Sequence, residues 1–204
     1  MTIISNKFKK EKKSILFLGY DKKQCSIISY LEDKGYLVEN KKTKLLQITS
    51  HDFIISFGYK HIIEKEILEK LEIPVINLHI SYLPWNKGSH PNFWSFYEST
   101  PSGVTIHEID NGIDTGSIIF QKLLKFNTKQ LTFEETYKKL IFEIEELFKS
   151  NIDMILNKNY IAKPQIGEGS FHKTKDLPKE FRGWDSNIYN EINRLWNLKL
   201  TESF

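Results

Sequence analysis

An amide and an imidazole lie two residues apart at the end of an apolar run: Asn77 and His79 in VINLHI, residues 75–80. Residues two apart on a β-strand point to the same face of the sheet. Asparagine N–H groups can stabilise an oxyanion, and an imidazole can donate or accept a proton. The pair therefore suits acyl transfer through a tetrahedral intermediate.

A carboxylate is the group still missing from such a site, and the glycine-bounded loop NGIDTG, residues 111–116, supplies candidates. Asp110 precedes this loop and Asp114 lies within it, where glycines allow close approach of the backbone to a ligand. Aspartates in such loops also serve turns, and a single histidine near a strand is often structural. From these residues alone, an enzyme site and a purely structural arrangement both remain open.

Three short apolar runs predict the sheet that must position these side chains. SILFLGY (14–20), DFIISFG (52–58) and VINLHI (75–80) are typical of buried parallel strands, and the segments 25–36 and 64–73 between them have helical spacing. This order predicts an α/β fold with a mostly parallel, Rossmann-like sheet flanked by helices. Ligands bind at the carboxyl ends of such strands, where Gly19, Gly58 and the Asn77–His79 pair lie.

The second half of the chain predicts a hairpin, a long helix and an extension. Residues 103–110 and 117–126 form the hairpin around the 111–116 loop, and Thr132 with Glu135 forms a capping box that begins a helix ending near residue 156. We interpret its apolar stripe, from Tyr137 to Phe148, as core. We expect residues 1–156 to be the catalytic domain. Residues 157–204 are expected to be a loop-rich extension whose terminal amphipathic helix packs on that domain or on a second copy of the chain.

Composition excludes several classes of protein. With 204 residues, 40% of them hydrophobic, and a net charge of +3, the chain fits one globular domain. Its single cysteine rules out an internal disulfide, its six histidines show no metal-binding spacing, and no run of about 18 apolar residues occurs. The basic run at residues 6–13 is typical of a solvated tail and not of a secretory signal. We expect a cytoplasmic protein with no metal, nucleic-acid or membrane partner.

The order NLHISYLPWNKG, then GVTIHEIDNGIDTGSIIFQK, then AKPQ resembles the folate-dependent formyltransferases, from about residue 52 to residue 165. This family includes methionyl-tRNA, glycinamide-ribonucleotide and nucleotide-sugar formyltransferases. The resemblance implies the formyltransferase fold, 10-formyltetrahydrofolate as formyl donor and an amine as acceptor. It also implies that Asn77, His79 and Asp114 form the catalytic triad.

The resemblance further implies how these residues act. The acceptor amine attacks the formyl carbon, Asn77 and His79 hold the oxyanion, and His79 or a water held by Asp114 moves the proton to the departing folate nitrogen. We expect His107 to be a structural residue near the folate. The folate is expected to bind at the second glycine-ended strand and at the loop before the catalytic aspartate, through Gly58, Tyr59, Lys60, His61, Ile62 and Asp110.

The acceptor is predicted by elimination within the resemblance. A methionyl-tRNA enzyme would carry a basic C-terminal barrel that these residues do not contain, and GYDKKQCS (19–26) departs from the phosphate loop of the glycinamide-ribonucleotide enzymes. HISYLPWNKGSHPNFWSF and GSFHKTKDL instead resemble dimeric bacterial enzymes that formylate a dTDP-linked amino-dideoxy sugar for O-antigen or other surface polysaccharide. Another small amine as acceptor, and a non-catalytic binding protein, remain alternatives.

Aromatic and basic residues near this motif are the candidates for holding a nucleotide sugar. Aromatic rings can stack on a sugar or a base, and basic groups can meet a diphosphate. Trp94 is equally compatible with the core of the following helix. The predicted acceptor-binding residues are Tyr82, Trp85, Lys87, His90 and Trp94, with Lys173 as a further contact for the diphosphate.

Overall fold

A six-stranded sheet organises the protein, whose residues 12–201 are described by a computed structural model. The spatial order is β2-β1-β3-β4-β6-β7; the first four strands run parallel, and β6 pairs antiparallel with β4 on one side and with β7 on the other. The strands of the sheet are β1 (Ser14–Gly19), β2 (Leu37–Lys41), β3 (Phe53–Phe57), β4 (Val75–His79), β6 (Ser102–Glu108) and β7 (Ile118–Leu124). The predicted mostly parallel α/β architecture is confirmed.

Helices cover both faces of this sheet, and five of them are described. Alternate side chains of β1, β3 and β4 pack under α1 and α4 on one face, and the others pack on the opposite face around Ile67 of α2. A strand buried on both faces needs apolar side chains at every position, which explains the continuous runs in the sequence. The helices are α1 (Ile27–Asp33), α2 (Lys65–Leu68), α3 (Pro91–Tyr97), α4 (Phe133–Leu156) and α5 (Ile188–Thr201).

Two elements differ from the prediction. Strand β2, LVENK, forms one edge of the sheet and was not predicted, because an edge strand with mostly exposed side chains shows no apolar run. Helix α2 spans only Lys65–Leu68, although helical spacing extends over residues 64–73. Ile67 is the one buried residue of α2, so little packing energy supports a longer helix.

Helix α4 begins at the predicted capping box. Thr132 Oγ1 accepts from the Glu135 backbone N–H at 3.2 Å, and Glu135 Oε2 accepts from the Thr132 N–H at 2.8 Å. Leu140, Ile144 and Phe148 are buried as expected, but Tyr137 is 36% exposed. The first turns of α4 therefore face a cavity, and the prediction that the whole stripe is core was wrong at Tyr137.

The segment after α4 returns to the sheet and to α3. Its short strand β8 (Phe171–His172) pairs in parallel with β5 (Lys87–Gly88), and a 3₁₀ turn follows at Thr174–Asp176. The apolar side of α5 is buried against Phe93, Trp94 and Phe133 of the same chain, which accounts for its amphipathic pattern without a second copy. The homodimer stays a prediction.

Most of the basic run, residues 6–11, lies outside the described residues. Within residues 12–201, no helix is long and apolar enough to cross a membrane.

Candidate active site

The carboxyl end of β4 places Asn77 and His79 on one face of the sheet, as their spacing predicts. β4 pairs with β3 on one side and with β6 on the other, and Asn77 lies directly opposite His107. Asn77 Nδ2 lies 3.0 Å from His107 Nε2 and donates to Asp114 Oδ1 at 3.2 Å. His79 is buried, and its Nε2 lies 3.3 Å from the Asn86 carbonyl oxygen and 3.7 Å from Asp114 Oδ2.

Asp114 reaches these side chains from the loop between β6 and β7. Its backbone adopts the left-handed conformation, with φ of 53°, which directs the carboxylate back over the sheet edge. Asp114 Oδ2 accepts from the Gly88 backbone N–H at 2.8 Å. The structure thus brings the amide, the imidazole and the carboxylate predicted from sequence to one point.

The protonation states of this cluster follow from burial and neighbouring charge. Burial opposes ionisation of the Asp114 carboxyl, but interactions with His79, His107 and the Gly88 N–H outweigh it and hold its pKa well below the ordinary value. Burial lowers the pKa of His79 below the ordinary 6.5, although the Asp114 carboxylate acts in the opposite direction. The site at neutral pH therefore contains a carboxylate beside a neutral imidazole.

His107 belongs to this cluster more closely than the sequence indicated. Its Nδ1 lies 2.7 Å from the Glu108 carbonyl oxygen, which can only accept, so Nδ1 carries the hydrogen and Nε2 accepts from Asn77. This bond fixes the Asn77 amide with its nitrogen toward His107 and Asp114. His107 was predicted to be structural. Its contact with Asn77 follows from its position opposite Asn77 in the sheet, which can be found only once the pairing of β6 with β4 is known.

A cavity of about 1200 Å³ opens beside this cluster and extends in two directions. Its lining includes every residue predicted to hold the folate: Gly58, Tyr59, Lys60, His61 and Ile62 after β3, and Asp110 after β6. Two of these have other partners as well. The Tyr59 hydroxyl bonds the backbone of Thr43 and Leu45, and Asp110 Oδ1 accepts from Gly112 and Thr115 within its own turn.

The opposite wall of the cavity starts at Gly88, which bonds Asp114, and is built with the C-terminal segment. Gly88 pairs with His172, the Ser89 and Thr174 hydroxyls lie 2.9 Å apart, and the His90 and Trp184 rings lie 5.4 Å apart. We call this surface the outer wall. Its residues that line the cavity include His90, Phe171, Lys173 and Trp184. Trp184 and Phe171 are 39% and 43% exposed, and neither was predicted as a ligand contact.

Of the five residues predicted near the motif to bind the acceptor, His90 alone lines this cavity. Tyr82 packs beside Gly103 of β6, and Lys87 Nζ donates to the Glu168 carbonyl oxygen at 3.1 Å. Trp94 is buried and stacks on the His172 ring at 3.9 Å. Trp85 is not among the residues that line the cavity either.

No group of three or more histidine, cysteine or acidic residues in the described part of the chain is arranged to hold a metal ion. The groups that converge at the end of β4 are instead an amide, two imidazoles and one carboxylate. Such a set provides hydrogen-bond donors and a negative charge around one point, which suits stabilisation of a tetrahedral intermediate formed by an amine.

The chain is similar in structure to a solved formyltransferase. The crystal structure of the formyltransferase PseJ from Anoxybacillus kamchatkensis superposes with a TM-score of 0.82 at 41% identity, covering 89% of this chain and 98% of that one. That structure is a complex with UDP-4,6-dideoxy-4-formamido-L-AltNAc and tetrahydrofolate.

Curated formyltransferases are similar in sequence to this chain over part of their length. A methionyl-tRNA formyltransferase of Thermodesulfovibrio yellowstonii is 36% identical, covering 76% of this chain and 49% of its own. A dTDP-4-amino-4,6-dideoxyglucose formyltransferase of Mycobacterium bovis is 29% identical, covering 69% and 58%. The chain spans about half the length of these curated relatives. Residues 4–152 match the family described as Formyl transferase, and this chain belongs to that family.

Proposed function

We propose that this protein is an N-formyltransferase. In this proposal it transfers the formyl group of 10-formyltetrahydrofolate to the amino group of a nucleotide-linked 4-amino-4,6-dideoxy sugar, with uridine diphosphate as the nucleotide. The choice of UDP over the dTDP expected from the motifs follows the PseJ structure, which shares 41% identity and nearly its whole length with this chain. The dTDP-linked sugar is the second candidate, favoured by the Mycobacterium bovis relative.

The observation that supports formyl transfer is the position of the triad between two walls of one cavity. Asn77, His79 and Asp114 lie where the loop after β3 and the outer wall meet. A volume of about 1200 Å³ exceeds the roughly 300–1,000 Å³ of a single small-molecule site and suits two substrates that must meet. In this arrangement the folate enters along the β3 side and the acceptor along the outer wall.

The reaction needs an oxyanion to be held while one C–N bond forms and another breaks. His79 Nε2 faces two acceptors, the Asn86 carbonyl and the Asp114 carboxylate, so the neutral ring carries its hydrogen there and can donate it to the oxyanion. Asn77 contributes its Nδ2–H that now forms the 3.2 Å bond to Asp114. Each such donor typically lowers the activation free energy by about 2.7–4 kcal/mol.

Asp114 acts on the amine side of the same step. As the amine attacks the formyl carbon, its nitrogen becomes cationic, and an adjacent carboxylate stabilises that charge. Because the pKa of Asp114 is held low, the carboxylate is a weak base. It therefore directs the proton, through a water, from the new amide nitrogen to the folate nitrogen, whose bond to the formyl carbon breaks.

The outer wall fits a nucleoside diphosphate. Gly88, at one end of this wall, bonds Asp114. The chain continues through residue 89 to His90, which lies beside the exposed ring of Trp184. An amino sugar with its nitrogen at Asp114 would then direct its diphosphate toward Lys173 and its base toward Trp184. Aromatic rings and Lys groups are the usual partners of a base and a phosphate.

The direct test is turnover with defined acceptors. Purified protein is incubated with 10-formyltetrahydrofolate and either UDP-linked 4-amino-4,6-dideoxy-L-AltNAc, dTDP-4-amino-4,6-dideoxyglucose or glycinamide ribonucleotide, and formamide and tetrahydrofolate are quantified. We expect the highest kcat/KM with the UDP-linked amine. A preference for the dTDP sugar or for glycinamide ribonucleotide would refute the choice of acceptor. Folate binding without turnover of any amine would refute the enzymatic function. O-antigen synthesis and the cytoplasmic location stay predictions.

A further inference from the structure

A side chain of the C-terminal segment holds the backbone of the loop that carries Asp114. Gln165 Nε2 donates to the Asp114 carbonyl oxygen at 2.8 Å and to the Gly116 carbonyl oxygen at 2.9 Å. Gln165 is the last residue of the AKPQ motif and lies beyond residues 4–152, which match the family model. We propose that Gln165 is a positioning residue for formyl transfer: by holding these two carbonyls, it fixes the direction of the Asp114 carboxylate. This inference rests on the proposed function of the triad.

Asp114 needs such support because its backbone is in an unfavourable conformation. A non-glycine residue with φ of 53° is less stable there than in the extended or right-handed regions, and a return to those regions would turn the carboxylate away from His79. The side chain is held by Gly88 and Asn77, and the carbonyl by Gln165. Bonds at both ends of the residue define its orientation better than bonds at the carboxylate alone.

The segment that carries Gln165 is attached to the sheet without it. The Tyr160 hydroxyl donates to Glu108 Oε1 at 2.9 Å, and Lys163 and Ile118 exchange two backbone hydrogen bonds of 2.8 Å each. Loss of the Gln165 amide therefore leaves the path of the segment intact. Its effect should be confined to the loop, which is what distinguishes a positioning residue from a structural one.

The chemistry of the side chain provides a matched set of variants. Gln165 Oε1 is buried and has no hydrogen-bond partner among the described residues, so the amide acts on the loop through its nitrogen. Gln165→Glu keeps the size but replaces both donor hydrogens by an oxygen facing two carbonyls. Gln165→Ala removes the group altogether. Tyr160→Phe is the control, because it removes a hydrogen bond of the same segment that does not reach Asp114.

The first measurement separates kcat from KM. We expect Gln165→Glu and Gln165→Ala to lower kcat by about 10-fold to 100-fold, the loss typical of a misplaced catalytic group, with both KM values nearly unchanged. Tyr160→Phe should retain the parental kcat within about twofold. Parental kcat in Gln165→Glu, or an equal loss in Tyr160→Phe, would overturn the inference. Loss of the fold in both Gln165 variants would also overturn it, since orientation of one loop is not required for folding.

The second measurement does not depend on the acceptor. The titration of His79 is followed by NMR of labelled imidazole carbons in the parent and in the Gln165 variants. Because the Asp114 carboxylate raises the His79 pKa, its displacement should lower the His79 titration midpoint further, in the direction also expected for Asp114→Asn. An unchanged midpoint would count against the inference. If the parent turns over no amine, the proposed function fails, and this titration still decides the role of Gln165.

Discussion

The triad and the outer wall border the same cavity but are built in opposite ways. At the triad, Asp114 contacts two imidazoles, an amide and a backbone N–H, and His79 and His107 are 8% and 1% exposed. At the outer wall, Trp184 and Phe171 line the cavity, and each is more than a third exposed. The triad is therefore preorganised for one reaction, whereas the outer wall presents surfaces that can select a ligand.

The two regions also come from different parts of the chain. The triad belongs to the end of strand β4 and to the loop before β7, all within residues 4–152 that match the family. Phe171, Lys173 and Trp184 belong to the segment after α4, beyond that match. We infer that the chemistry resides in the shared part of the family and the choice of acceptor in the C-terminal segment. Substitutions at the triad should then change kcat, and substitutions at the outer wall should change the KM for the acceptor.

The largest effect is expected for Asp114→Asn. The substitution keeps the size of the side chain but removes the charge that stabilises the cationic amine, and it turns an NH₂ group toward donors. We expect kcat to fall about a thousandfold, within the range for loss of a group that assists proton transfer, while the KM values change little. Steady-state rates at saturating concentrations of both substrates measure this.

The control for this variant is Asp153→Asn, which makes the same chemical change at an exposed position of α4. It should keep kcat within about twofold, as surface substitutions usually do. Circular dichroism of both variants should match the parent. An Asp114→Asn enzyme with more than a tenth of the parental kcat would contradict the role given to the carboxylate.

The fold was predictable where local patterns are strong. Apolar runs ending in glycine predicted β1 and β3, and the Thr132–Glu135 capping box predicted where α4 begins. Strand β2 was not predictable, because LVENK becomes a strand only through its pairing with β1 at the sheet edge. The pairing of β2 with β1 depends on tertiary contacts and cannot be predicted from its five residues alone.

The candidate site divides in the same way. Asn77 and His79 follow from the period of a strand, and the motif added Asp114. The contacts of Gln165 and Trp184 depend on how a segment without regular structure returns to the sheet, so spacing could not reveal them. The aromatic residues nearest the motif in sequence, Tyr82 and Trp85, do not line the cavity. They belong to the turn after β4, which has hydrogen bonds of its own, including one from Ser81 to the Trp85 carbonyl, and spacing does not reveal such a turn.

A smaller effect, confined to the acceptor, is expected for Trp184→Ala. Stacking of a base on an aromatic ring is typically worth about 1–3 kcal/mol, so the KM for the nucleotide sugar should rise by about 5-fold to 150-fold. The kcat and the KM for the folate should stay close to the parental values. Trp184→Phe should retain part of the affinity, since it keeps a ring at this position.

Trp196→Ala is the matched control for Trp184→Ala. Trp196 lies on α5 in the same C-terminal segment, is similarly exposed at 43%, and does not line the cavity. It should leave the KM for the acceptor unchanged. Because Trp184 also packs on Phe181, thermal melting of each variant shows how much of any change reflects stability. Equal KM values in both alanine variants would contradict the role of the outer wall.

The smallest effect concerns stability, and it depends on the buried, neutral His79. Because the folded pKa lies below 6.5, the unfolded chain binds a proton in a pH range where the folded protein does not. This contribution to stability is complete above pH 6.5 and is lost as the pH falls toward the folded pKa, by at most about 1.4 kcal/mol per pH unit. Asp114 titrates in the unfolded chain only near pH 4 and does not interfere in this range.

Denaturant unfolding of the parent and of His79→Gln between pH 7.5 and pH 5.5 measures this contribution. Both proteins are expected to lose stability toward pH 5.5, because His90 has a pKa lowered by burial as well. The free energy of unfolding should decrease less in His79→Gln, which has no imidazole at the triad to protonate. If the free energy of unfolding depends on pH in the same way in both proteins, His79 has the same pKa in the folded and the unfolded chain. Burial would then not explain the neutral imidazole that we assign to the oxyanion site.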